Sequence, residues 1–257
     1  MMSVISDIFT HIETAYRTRQ PVPFIRDTYS ITEEEAYHVQ HAFIKKRIQE
    51  GDAIAGYKIS MTSAETQAIA DTNEPAYGTI LTSQVLQGDS EYALSHLFSP
   101  LIEPELMFFI HEDISEDADA QEIIEKTSVA PGIEIPDARY IDWFPHFSLI
   151  DLLSDNTATG RIVVGDPVPC PELEKLSAIE LDLQFNGNTT HTGRSDAVLG
   201  NPVYAVTWLI KKLAEHKQSL QKGMVVSSGT FIPPFKAEAG KYLASYKDIG
   251  SVRITLV

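Results

Sequence analysis

Two glutamates stand two residues apart in Leu101-Ile102-Glu103-Pro104-Glu105-Leu106-Met107-Phe108-Phe109-Ile110, inside an otherwise apolar, strand-like run. Residues i and i+2 of a strand share a face, so the two carboxylates project side by side, roughly 6.6 Å apart for two rises of about 3.3 Å. Buried together they repel, and one protonates unless a cation is shared between them. A hard divalent ion suits that position. Magnesium takes oxygen ligands, keeps several waters and needs few carboxylates, so the pair and one further acid suffice. The competing reading is an edge strand with its glutamates in water, where Pro104 is tolerated because an edge needs fewer donors. Glu134, set between Ile133 and Ile135, is the candidate third acid. Asp137 competes with it, although its place after Pro136 suits a turn.

Lys58 is the matching cation candidate, in the short apolar run Ala55-Gly56-Tyr57-Lys58-Ile59-Ser60-Met61. There it can act as a general acid or base with a lowered pKa, anchor a carboxylate, or snorkel out of a half-buried strand. His38 and His41 sit at i and i+3 with no third ligand nearby, which reads as surface histidines on an acidic helix. Cys170 is the single cysteine and lies between two prolines. No intrachain disulfide is therefore possible, and thiol catalysis has no supporting motif.

The elements that must position these groups follow from periodicity. Ile5, Ile8, Phe9, Ile12, Ala15 and Tyr16 predict a first helix ending before Pro21. A capping box at Thr32-Glu33-Glu34-Glu35 starts a second, which runs to Gly51. Another box is expected at Thr62-Ser63-Ala64-Glu65, after the Lys58 strand. Asn73 to Thr79, with Tyr77, reads as a turn into a strand on a loop rim. Glu112 to Glu125 is a solvated acidic face. His146 to Leu153 reads as helical. The polar Ser154-Asp155-Asn156-Thr157-Ala158-Thr159-Gly160 loop follows, of the kind that lines sites or simply turns, and leads into the strand Arg161 to Gly165. Ile179 to Phe185 and a return strand through Thr190 flank a type I′ turn at Asn186-Gly187. Val203, Val206, Leu209, Ile210 and Leu213 mark a further helix. Met224 to Thr230 is a strand with a glycine turn, and Lys241 to Tyr246 pairs with Val252 to Val257.

With 257 residues, 43% of them hydrophobic, the chain has material for one large domain or a main domain with a smaller appendage. A formal charge of −16 argues against nucleic acid as a partner. No apolar run approaches the ~20 residues of a membrane-spanning helix, and the first residues do not resemble a secretory signal, so a cytoplasmic protein is expected. An anionic substrate must then be attracted locally, by a bound metal and one or two basic side chains.

Taken in order, Gly56-Tyr57-Lys58, Ile102-Glu103-Pro104-Glu105, Gly132-Ile133-Glu134, Ser154-Asp155-Asn156 and Asp248-Ile249-Gly250-Ser251-Val252 resemble the fumarylacetoacetate hydrolase superfamily, in particular its 2-oxopent-4-enoate hydratase and 4-oxalocrotonate decarboxylase branch. The resemblance spans nearly the whole chain. It implies an α+β fold, with a mainly helical N-terminal region (1–75) and a mixed β-sandwich roll (76–257) that houses the site. It implies magnesium or manganese held by Glu103, Glu105 and Glu134, with Lys58 at the oxo-carboxylate end of a small anionic 2-oxo acid, and a homo-oligomer. Tyr77 and Thr230 are the further candidates for substrate contact, and Asp155 and Asn156 for positioning water. The chain departs from the hydratase pattern at Ala76, where an aspartate is common, and at Ala158, where a serine is common.

The expected activity is that of a divalent-metal-dependent lyase, 2-keto-4-pentenoate hydratase first, in the meta-cleavage catabolism of aromatic compounds. The alternatives are 4-oxalocrotonate decarboxylase, an acylpyruvate-type C–C hydrolase needing a His-Glu pair, sought at His11, His38 or His41, and a non-catalytic binding or assembly protein.

Overall fold

Ile8, Ile12 and Ala15 turn the buried face of the first helix, Val4–Thr18 (α1), inward; this computed structural model describes residues 4–257. Thr32 caps the second helix, Glu33–Gln49 (α2). The Glu35 N–H donates to its hydroxyl at 3.2 Å, and the Thr32 N–H donates to the Glu35 carboxylate at 2.8 Å. Two donors that a helix start leaves unpaired are thereby satisfied.

The chain continues through β1 (Ile54–Ser60), α3 (Ala64–Ile69), β2 (Ala76–Leu81), β3 (Val85–Gln87), β4 (Ser90–Tyr92) and β5 (Leu101–Ile110). Next come α4 (Ala120–Glu125), β6 (Thr127–Ile135), α5 (Leu149–Ser154), β7 (Arg161–Val164), β8 (Val168–Pro169) and α6 (Leu173–Leu176). The last elements are β9 (Glu180–Phe185), β10 (Asn188–Arg194), α7 (Pro202–Glu215), β11 (Val225–Thr230), β12 (Phe235–Lys236), β13 (Gly240–Tyr246) and β14 (Gly250–Leu256).

A nine-stranded sheet runs β2-β1-β11-β5-β6-β7-β3, with β12 added to β5 and β8 to β6. A five-stranded sheet, β10-β9-β13-β14-β4, packs its β13 and β14 against β6. Helices α1, α2 and α5 pack together, and α7 covers β11 and β1. One continuous core reaches from Ile8 on α1 to Leu256 on β14. The fold is α+β, as expected, but β1, on the N-terminal side of the expected 75/76 division, lies inside the large sheet between β2 and β11.

Several local expectations change. The edge reading of β5 gives way to a buried strand between β11 and β6. Pro104 falls where β5 exchanges partners, between the Glu105–Thr230 pair with β11 and the Ile102–Phe235 pair with β12. A residue without an N–H is tolerated at such a break in a ladder. Helix α3 is capped by Ser63 with Thr66, rather than by Thr62 with Glu65. Tyr77 is no rim residue: β2 is buried along its length, and Tyr77 is 0% exposed.

Candidate metal centre and its cavity

The antiparallel pairing of β5 and β6 puts Glu103 directly opposite Glu134 and Glu105 opposite Gly132. The i, i+2 relation holds Glu103 and Glu105 on one face, so all three carboxylates converge. One oxygen of each lies within 4.8 Å of one from the others. Gly132 is needed at its position because a Cβ there would stand 2.4 Å from the Met107 methyl carbon. On the other side β11 loses register between Ser227 and Thr230. At that break Ser227 Oγ donates to Glu105 Oε2 at 2.5 Å and the Gly229 N–H donates to the same oxygen at 2.8 Å. Gly229 has φ +115°, and a Cβ on it would meet Thr62 Oγ1 at 2.4 Å, so the turn that aims this N–H admits only glycine.

Lys58 comes from β1, opposite Gly78 of β2 and Ser227 of β11. Its Nζ lies 3.0 Å from Glu134 Oε1, with both side chains 1% exposed. The contact is an ion pair without directed hydrogen-bond geometry, and Glu134 Oε2 and Glu105 Oε1 are buried with no partner among the described residues. Such orphaned oxygens are costly to bury. Burial, then the charge of Glu134, raises Glu103 to about 8. Burial and the neighbouring carboxylates raise Glu105 well above the usual range. Glu134 is raised by burial and held back by Lys58. For Lys58, burial works to lower the pKa, but Glu134, Glu103 and Glu105 outweigh it and the net shift is upward. Without a bound ion, the three carboxylates thus favour the ammonium form of Lys58.

Three carboxylates and one ammonium leave two uncompensated negative charges when ionised, the charge of one divalent cation. The donor set is all oxygen, as magnesium and manganese prefer. The orphaned oxygens, the convergence and the charge balance all fit such an ion.

A cavity of about 220 Å³ opens from this cluster and is lined by Lys58, Glu103 and Thr230, together with Ser60, Thr62 and Ala158. Of the expected site residues, Lys58, Glu103, Glu105, Glu134 and Thr230 are thus brought together. Tyr77, Asp155 and Asn156 do not line the cavity. Tyr77 lies on β2 with its hydroxyl between His41 Nε2 (3.1 Å) and His216 Nδ1 (2.6 Å), so His41 is partly buried rather than a surface histidine.

Asp155 and Asn156 stand off the cavity wall with their side chains already engaged. Arg139 donates to Asp155 from Nε at 2.6 Å and from its N–H at 2.8 Å. Asn156 receives the Thr79 N–H at 2.8 Å and donates to Thr79 O at 2.9 Å. Asn156, Thr157 and Ala158 have φ of 51°, 53° and 52°, a left-handed turn costing roughly 1–2 kcal/mol per non-glycine residue. The Asn156 bonds to β2, with the Thr157 hydroxyl donating to Tyr77 O at 2.5 Å, hold that turn. Asp137, the competing acid, receives the Phe98 and Ser99 N–H groups and stands outside the metal cluster. Sequence reasoning missed Ser227 and Gly229, which orient Glu105; the glycine turn at the end of that strand was the available signal.

Fold and site together define a class: a cavity opening from a carboxylate cluster that could hold a divalent ion, built on strands of a curled mixed sheet. No family model matches the chain. The chain is 30% identical over 259 residues to a 2-oxo-hept-4-ene-1,7-dioate hydratase of Escherichia coli, covering 97% of each protein. It is 30% identical over 244 residues to a 2-keto-4-pentenoate hydratase of Paraburkholderia xenovorans LB400, covering 93% of this chain and 90% of that one. The structure of a 4-oxalocrotonate decarboxylase from Pseudomonas putida G7, complexed with magnesium and adipate, superposes with a TM-score of 0.92 at 23% identity, over 100% of this chain and 99% of the other. The chain belongs to the family of the 2-keto-4-pentenoate hydratases.

Proposed function

We propose that the chain is a magnesium- or manganese-dependent hydratase of 2-hydroxy-2,4-dienoic acids, with 2-hydroxypenta-2,4-dienoate the first substrate to try, acting in the cytoplasm as a homo-oligomer in aromatic catabolism. The observation that carries the reading is the convergence of Glu103, Glu105 and Glu134, with buried unpartnered oxygens, beside Lys58 on a cavity. A divalent ion held by Glu103, Glu105 and Glu134 would supply Lewis-acid stabilisation of the negative charge that develops on a 2-oxo acid.

The side chains do the rest. Glu103, Glu105 and Glu134 hold the ion, with Ser227 and Gly229 fixing the rotamer of Glu105. Lys58, as an ammonium, neutralises the substrate carboxylate and holds a proton at Nζ for the dienol carbon chain. Thr230 stands at the cavity wall beside them. Water must reach C4 of the substrate, and Ala158 on that wall has no donor or acceptor in its side chain. The hydroxyls of Ser60 and Thr62 line the cavity and make no hydrogen bond among the described residues, so they can hold that water in place of Asp155 and Asn156.

Decarboxylation is the second reading, favoured by Ala158: loss of carbon dioxide needs no positioned water. C–C hydrolysis has less support, because no histidine lines the cavity among the described residues. The test offers the magnesium-loaded protein 2-hydroxypenta-2,4-dienoate and 4-oxalocrotonate, following water addition and carbon dioxide release. Hydration of the first is expected. Rapid carbon dioxide release with negligible hydration contradicts the proposal, and no conversion of either favours hydrolysis or a binding role.

A further inference from the structure

Lys58 is the one cationic side chain on the cavity wall among the described residues. Much of the remaining surface is apolar, with Ile69, Trp143, Phe144, Phe147, Leu152 and Ile232 contributing rings and branched chains. Apart from the Ser60 and Thr62 hydroxyls, which lie on the wall, the hydroxyl and indole groups among them are already used. Trp143 Nε1 donates to Ser99 O at 2.8 Å, Thr157 Oγ1 to Tyr77 O at 2.5 Å, and Thr230 Oγ1 to Ile232 O at 3.0 Å. Ser63 and Thr66 bond each other across the cap of α3. Pro136, Pro233 and Pro234 complete the wall and bring no N–H. The two other ionisable groups are acids: Glu103 at the metal end, and Glu65, which is exposed.

We infer that the cavity selects a 2-oxo or 2-hydroxydienoic acid with a single carboxylate, seated at the Lys58 end, and an apolar tail, and that it rejects a second, distal carboxylate. This rests on the proposed function and narrows it. A distal carboxylate would lose its water against rings and prolines, find no second cation among the described lining residues, and meet the repulsion of Glu65. An alkyl or aryl tail instead removes apolar surface from water on both sides. The cavity has room for one, since about 220 Å³ corresponds to roughly seven waters at about 30 Å³ each. A five-carbon acid leaves part of that space empty. 4-Oxalocrotonate and the heptenedioates, all dicarboxylates, fall on the rejected side.

The test is a calorimetric titration of the full-length, magnesium-loaded protein with two unreactive six-carbon acids, 2-oxohexanoate and 2-oxoadipate, which differ only in a terminal methyl or carboxylate. The expected result is at least tenfold tighter binding of 2-oxohexanoate, with the preference growing when a phenyl group replaces the terminal methyl. Equal or tighter binding of 2-oxoadipate overturns the inference, and so does binding of neither acid. Turnover of 2-hydroxypenta-2,4-dienoate, followed in parallel, keeps the two readings apart. A preference for 2-oxohexanoate without turnover supports the specificity and sinks the hydratase assignment; turnover with a preference for 2-oxoadipate does the reverse.

Discussion

Two clusters of buried charge sit in one continuous core, and they are finished differently. Around Asp155 the carboxylate meets Arg139 through Nε at 2.6 Å and the backbone N–H at 2.8 Å, and the same guanidinium reaches the carbonyls of Asp137 and Asp155, each at 2.5 Å. Asp151 nearby is met by the Arg26 guanidinium at 2.6 Å and by Ser148. Around Glu134, three carboxylates share one lysine and leave buried oxygens without partners. The first arrangement is complete as folded and serves structure. The second is incomplete until a cation arrives, which is the mark of a site.

Substitutions in the two clusters should therefore fail in different ways. The largest effect on activity is expected at Lys58→Ala, which should lower turnover by about 10²–10⁴-fold, the range for a proton-transfer group, while the metal-loaded protein stays folded, the ion offsetting part of the lost pairing with Glu134. Lys58→Arg sharpens the point. An arginine stays charged and cannot deprotonate, so recovery of activity would assign Lys58 a purely electrostatic part. Asp155→Ala should do the opposite: it strands a buried guanidinium, costs about 3–5 kcal/mol and lowers the melting temperature by on the order of 10 °C. Activity per folded molecule should fall far less than in Lys58→Ala. If Asp155→Ala leaves stability intact and removes turnover, the contrast between the clusters is wrong.

Glu105→Gln is the next step down. Partners one shell removed from a metal are already worth 10–100-fold in affinity, so loss of a ligand should weaken Mn2+ binding by more than about 100-fold in calorimetry. Without metal the same variant should melt no lower than wild type, because burial has already pushed Glu105 toward its neutral form.

The smallest effects belong to Tyr77. Tyr77→Phe removes two hydrogen bonds to histidines, at about 1 kcal/mol each, and should leave kcat and KM within about twofold. In the same group burial, then His216 and His38, lowers His41 to about 4. Between about 4 and 6.5 the unfolded chain binds more protons than the folded one, so stability should fall as pH drops through that window. Melting curves from pH 7 to pH 4 read this directly, and His41→Gln should flatten that part of the profile.

Much of the site was legible because its chemistry is local. Glu103 and Glu105 betray themselves by placing charge in an apolar strand, and Glu134 and Lys58 repeat the signal one residue at a time. The helix starts at Thr32 and the turn at Asn186-Gly187, with φ of 51° and 84°, were readable from caps and turn chemistry. The residues that fold away from the cavity share one feature. Asp155, Asn156 and Tyr77 are polar residues whose partners Arg139, Thr79 and His216 are brought to them by tertiary folding, and the sequence does not display such pairings. Pro104 misled for the same reason: its missing N–H suggested an edge, whereas β12 arrives from 130 residues later to take over the pairing.

The central claim is that the three glutamates form one cation site. Calorimetric titration of metal-stripped protein with Mn2+, alongside the Glu103→Gln, Glu105→Gln and Glu134→Gln variants, tests it most directly. The account predicts one ion per wild-type chain, lost in each variant, with a stabilisation of about 2.7 kcal/mol once free ion exceeds Kd a hundredfold. Undiminished binding in all three variants, or no binding by wild type, would contradict it.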